Sequence, residues 1–207
     1  MAGAAAAAQP RGGRPGAKRD GRKPALVSSA DKAVSCLLLT GAPGVGKTTV
    51  IRRVAERLGA LRPAGFYTAE TRARTGSREG FALIGFDGSR ATLAHVGLHG
   101  PRVGKYGVDV AAVDAAAARL LAPRAGVDVY LVDEIGKMEC LSPAFVEAMR
   151  RLLEARVTVV ATVARKGAGF IAEVKRRADA RVLEVTRANR DALPDEVRAW
   201  LAARCGR

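Results

Sequence analysis

Nine consecutive residues, Gly41, Ala42, Pro43, Gly44, Val45, Gly46, Lys47, Thr48 and Thr49, carry the spacing G-x-x-x-x-G-K-[ST]. Glycines in this pattern let successive backbone N–H groups turn to one concave face, where they cradle phosphate oxygens. Lys47 is then set to reach the β- and γ-phosphates, and the Thr48 hydroxyl to ligate Mg2+. Farther along, "VYLVDEIGKMEC" delivers Asp133 at the end of an apolar run, with Glu134 directly behind it and Gly136 and Lys137 next. Asp133 is the expected second protein ligand of the metal, directly or through water. Glu134, beside that ligand, can orient and deprotonate a water as general base. Together the two segments predict binding of a nucleoside triphosphate over Gly41–Thr49, Asp133, Glu134, Gly136 and Lys137. The metal set is Thr48 and Asp133, and the catalytic pair is Lys47 and Glu134. Lys137 pairs with Glu134, touches a phosphate, or is a solvated lysine.

Other groups are weaker candidates. Thr162, the last residue but one of the apolar "VTVVATV", could sense the γ-phosphate, with Arg165 or Lys166 neutralising charge in the transition state. Ordinary strand-end residues would look the same. In "VTRANRD", Thr186, Asn189 and Arg190 follow the last strand, where many nucleotide-binding sheets hold the base; helix capping by Asn189 or Asp191 competes. His95 and His99 lack partners for a metal site.

Strand-like and helix-like segments must position these groups. "VSCLLLTG" reads as a strand buried on both faces. Lys47 to Leu58 reads as a helix with Val50, Val54 and Leu58 on one stripe, stopped by Gly59. "AGFYTAE" and "EGFALIGFD" read as strands, followed by the Gly-punctuated "GSRATLAHVG". "VDVAAVDAAAARLLA" is helical, "VDVYLVDE" a strand, and Pro143 to Ala155 a helix. "VTVVATV", "GFIAEVKRRA", "RVLEVT" and "DALPDEVRAWLAAR" then give strand, helix, strand, helix. Such alternation predicts an α/β fold, a three-layer α/β/α sandwich on a mostly parallel sheet, over residues 34–207.

Residues 1–33 differ. They are Ala/Gly/Pro/Arg-rich without apolar periodicity, and the expected state is a disordered basic extension. Up to Val34 the stretch holds seven Lys/Arg against two Asp, about +5 of the formal net charge of +15. A cleaved organelle-targeting peptide is the rival, although Ser28 and Ser29 are its only early hydroxyls. No run approaches the ~20 apolar residues of a membrane span. The three cysteines, Cys36, Cys140 and Cys205, form no close pair, which favours a reducing compartment and a cytoplasmic location.

On these residues the chain resembles the small nucleoside-triphosphatase family often called cancer-related nucleoside-triphosphatase. The resemblance runs from about Cys36 to Asp195 and rests, in order, on "TGAPGVGKTT", "GFYTAETR", "EGFALIGFDG", "VGKYGVDV", "VDEIGKME" and "VTRANRD". It implies a P-loop α/β sandwich and slow Mg2+-dependent hydrolysis of ATP, GTP and other triphosphates with loose base preference. Where the family tends to an aromatic residue and Glu after "KYGVDV", this chain has Val113 and Asp114, which loses bulk and keeps a carboxylate. Two other readings stay open. A nucleotide or nucleoside kinase would release little phosphate until an acceptor was supplied. A basic, ATP-regulated nucleic-acid-binding protein would show turnover stimulated by RNA or DNA and affinity falling steeply with salt.

Overall fold

The computed structural model describes Met1 and residues 33–206; apart from Met1 and Ala33, the expected basic extension lies outside the described residues. Strand β1, Cys36–Thr40, shows why the molecule is layered. Successive side chains of a strand point to opposite faces. Leu37 and Leu39 enter one core, Cys36 and Leu38 the other, and all four are fully buried. Over the first face lie α1 (Lys47–Glu56) and α5 (Leu193–Cys205), which contribute Val50, Ile51, Val54, Val197, Trp200 and Leu201. Over the second lie α2 (Val110–Leu120), α3 (Pro143–Glu154) and α4 (Phe170–Lys175), with Val113, Ala117, Phe145, Met149 and Phe170. Two buried cores on one sheet make the predicted α/β/α sandwich.

The half of the sheet that carries the site is parallel. Strands β2 (Pro63–Arg72), β7 (Val129–Ile135), β8 (Val159–Val163), β1 and β9 (Ala180–Glu184) lie side by side in that order. Beyond β2 the chain adds an antiparallel wing of β3 (Arg78–Gly85), β4 (Arg90–His95), β6 (Tyr106–Val108) and β5 (Arg102–Val103). Thus the Gly-punctuated stretch after β3 holds a strand, and a short hairpin follows it. Among the described residues no helix is long and apolar enough to cross a membrane.

Register sets the level of the functional groups. Leu39 lies opposite Thr162, and Val132 opposite Ala161. Phe66 of β2 lies opposite Val132. The carboxyl ends of β1, β8, β7 and the middle of β2 therefore meet in one row, at the sheet edge where open α/β folds bind ligands.

Candidate active site

The loop after β1 takes its form from glycine. A Cβ on Gly41 would lie 2.6 Å from the Val185 carbonyl oxygen, so only glycine lets the loop leave β1 beside the segment following β9. Gly46 sits at φ 111°, in the region that favours glycine, and caps α1 without any side-chain hydrogen bond. The first-turn N–H groups of α1 are left to a ligand, and the helix dipole makes that ligand an anion. Ala42, Pro43 and Gly44 are exposed at the tip; Val45 is partly covered and donates from its N–H to Ala42 O at 3.3 Å. Thr49 is exposed on the first turn of α1.

Asp133 is only 1 % exposed, yet it is a carboxylate. Burial of such a group is tolerable only when donors surround it. Thr48 Oγ1 donates to Oδ2 at 2.7 Å, Thr68 donates to the same oxygen from N at 3.2 Å and Oγ1 at 2.9 Å, and Thr162 Oγ1 donates to Oδ1 at 2.6 Å. Four donors from α1, β2 and β8 thus fix one carboxylate on β7. Hydrogen bonds to an ionised acceptor contribute about 1.5–3 kcal/mol each. The two groups that could hold a metal, the Thr48 hydroxyl and the Asp133 carboxyl, are hard oxygen ligands of the kind Mg2+ takes, and they face each other directly.

Glu134 lies next to this centre, and the peptide bond between Asp133 and Glu134 is cis. Its Oε2 is 3.4 Å from Lys47 Nζ, with both side chains largely covered. Burial pushes its proton affinity above the ordinary carboxylate value; the Lys47 ammonium opposes that shift and the Asp133 charge adds to it. Lys175 of α4 also acts on Glu134. It donates to the carbonyls of Ala164, at 2.5 Å, and Arg165, at 3.0 Å, tying down the segment that leaves β8.

The remaining candidates divide. Gly136 is buried in the turn after β7, whereas Lys137 is exposed. Arg165 and Lys166 are exposed, and the Arg165 side chain turns to Glu184 at 3.9 Å. Asn189 accepts from the Thr186 N–H at 2.8 Å and donates to Glu184 O at 2.8 Å, so its amide organises the loop after β9. Arg190 extends over the phosphate loop: its Nη1 donates to Val45 O at 3.3 Å, and its Cδ would be 3.6 Å from a Cβ on Gly46. Beside it a cavity of about 250 Å³ is lined by Gly46, Thr49, Val50, Arg53, Arg190 and Asp191. Val113 is buried and Asp114 bonds the Ser142 hydroxyl that caps α3, so both residues help pack α2 against α3.

Sequence reasoning missed Thr68 and Glu139. Thr68 stands inside the quoted "GFYTAE", but its role depends on β2 pairing with β7, which no local pattern reveals. Glu139 is 4 % exposed on the 3-10 turn Glu139–Leu141, and burial, with Glu134 and Asp133 nearby, pushes its carboxyl up to about 8.

The chain is similar to known proteins along most of its length. A family model described as NTPase matches residues 36–198. The nucleoside-triphosphatase THEP1 of Thermotoga sp. (strain RQ2) is 39% identical over 164 residues, which span 78% of this chain and 92% of the relative. The human cancer-related nucleoside-triphosphatase is 37% identical over 179 residues, spanning 78% and 94%. The crystal structure of THEP1 from Aquifex aeolicus superposes with a TM-score of 0.70 at 33% identity, covering 78% of this chain and 96% of that one. By its phosphate loop, its buried carboxylate centre and these likenesses, the chain belongs to the NTPase family.

Proposed function

We propose that the protein hydrolyses nucleoside triphosphates, with Mg2+, to nucleoside diphosphate and phosphate. The observation that carries this reading is Glu134, held 3.4 Å from Lys47 beside the Thr48–Asp133 pair. The backbone N–H groups of Gly44 to Thr48 and the start of α1 bind the phosphate chain, and Lys47 neutralises its terminal charge. Thr48 and Asp133 are the groups that would hold Mg2+, which when bound supplies charge neutralisation on the phosphate oxygens. Glu134 accepts a proton from a water; the water oxygen bonds to the γ-phosphorus, and the bond from that phosphorus to the β-bridging oxygen breaks. Thr68 and Thr162 keep Asp133 oriented from two sides.

Base preference is expected to be loose. The Asn189 amide is engaged with backbone, which leaves the cavity beside Arg190 with a guanidinium face and the rim pair Arg53–Asp191, 2.8 Å apart. A planar cation stacks on any base. The test is free phosphate from MgATP, MgGTP and MgCTP with purified protein and no added acceptor. Release from all three that is abolished in a folded Lys47→Ala variant is expected. Hydrolysis that survives that change, or no release until an acceptor is added, contradicts the reading.

A further inference from the structure

Behind Glu134 lies a second acid for which hydrolysis as described has no use. Glu139 is buried, and its side chain turns back toward the end of β7, where the N–H groups of Gly136 and of Glu139 itself lie close enough to favour its charged form and partly oppose the effect of burial. A Cβ placed on Gly136 would be 2.7 Å from Glu139 Oε2 and 3.1 Å from both Cγ and Oε1 of Glu134. Both side chains therefore crowd the same point beside one glycine, and those two oxygens lie within about 6 Å of each other. Glu134 also meets Lys47 at 3.4 Å. Glu134 thus has a cation and the packed Gly136–Glu139 turn as its neighbours.

That turn is itself anchored. Cys140 N–H donates to Gly136 O at 3.1 Å and Ser142 N–H to Glu139 O at 3.1 Å. Ser142 caps α3 by accepting from Phe145 N–H at 2.8 Å, and its hydroxyl bonds Asp114 of α2. The turn carrying Glu139 is therefore fixed to two helices, and its side chain has little freedom to yield.

We infer that Glu139 is a positioning residue for hydrolysis: its buried carboxyl fills the space behind Gly136 and fixes the direction in which Glu134 meets the attacking water. The inference rests on Glu134 being the water-activating group. An acid that keeps its proton can sit close to a carboxylate without repelling it, and its raised proton affinity agrees with that. Glutamine, which matches its shape and polarity and carries no charge, should substitute for it.

The test measures kcat, KM and nucleotide affinity of the full chain for wild type, Glu139→Gln, Glu139→Ala and Glu134→Gln. Glu139→Gln should keep kcat within about threefold. Glu139→Ala should lose on the order of 10- to 100-fold in kcat, as a misaligned catalytic group does, with KM and nucleotide affinity held within about twofold. If the alanine variant does not fold, Glu139→Met, which keeps the volume without the polar end, should show the same loss of kcat at unchanged affinity. Wild-type kcat in the alanine and methionine variants overturns the inference. So does a fall in kcat matched by loss of nucleotide affinity, which marks collapse of the site. If Glu134→Gln alone keeps full phosphate release, the proposed base is wrong; if it abolishes release while Glu139→Ala is silent, only the role of Glu139 fails.

Discussion

Replacing Glu139 by Gln also removes a group whose proton affinity changes on folding, and this makes a stability prediction independent of catalysis. Burial, with Glu134 and Asp133 adding and the N–H groups of Glu139 and Gly136 opposing, raises its carboxyl from 4.5 to about 8. Between those values the folded chain keeps a proton that the unfolded chain releases. Stability must therefore fall as pH rises through the window, by about 1.4 kcal/mol per pH unit. Below about 4.5 the penalty is absent, and above about 8 it is complete. Glutamine carries no such proton. In nucleotide-free protein with EDTA, urea unfolding of the two forms should show the variant gaining on the wild type as pH rises. From pH 5.5 to 7.5 the gap should widen by about 3 kcal/mol, whatever constant offset the amide introduces. A gap that stays flat over this range would refute the reasoning, because it would mean that Glu139 is ionised and paired in the folded state.

Two further outcomes are expected. Thr68→Val keeps shape but removes the 2.9 Å hydroxyl bond to Asp133, leaving the Thr48, Thr162 and backbone donors; urea unfolding should show a loss of about 1.5–3 kcal/mol, and no measurable change would make that bond idle. Arg190→Ala should raise KM for MgATP, MgGTP and MgCTP by similar factors of about tenfold, the scale of ~1–2 kcal/mol for a cation on an aromatic face, while the inhibition constant of Mg-tripolyphosphate stays put; a parallel rise for tripolyphosphate would assign Arg190 to the phosphates instead.

The parallel half of the fold was legible because its signals are local. β1, β7 and β8 each open on a short apolar run, α1 and α3 have one apolar stripe, and the phosphate loop announces itself by its glycines. The wing was only half legible. β4 covers six residues with buried and exposed positions mixed, and β5 and β6 span two and three residues, too short for periodicity to register. Within the site, Asp133 and Glu134 could be found because they close a buried strand. Thr68 could not, since a threonine in a strand is ordinary until register sets it against Asp133. Glu139 looked like one more acid in a polar turn, and only the turn's folding back onto Gly136 buries it. Asn189 shows the converse: its type suited base recognition, and the geometry uses its amide on the backbone of Thr186 and Glu184, three and five residues before it.

In the proposed mechanism Glu134 activates water beside the carboxylate that would hold Mg2+. Free phosphate released from MgATP by wild type and Glu134→Gln, with nucleotide binding measured on the same samples, tests it most directly. Loss of a general base should cost on the order of 10²–10⁴ in rate while nucleotide still binds. A variant that binds nucleotide and turns over at the wild-type rate would contradict the account.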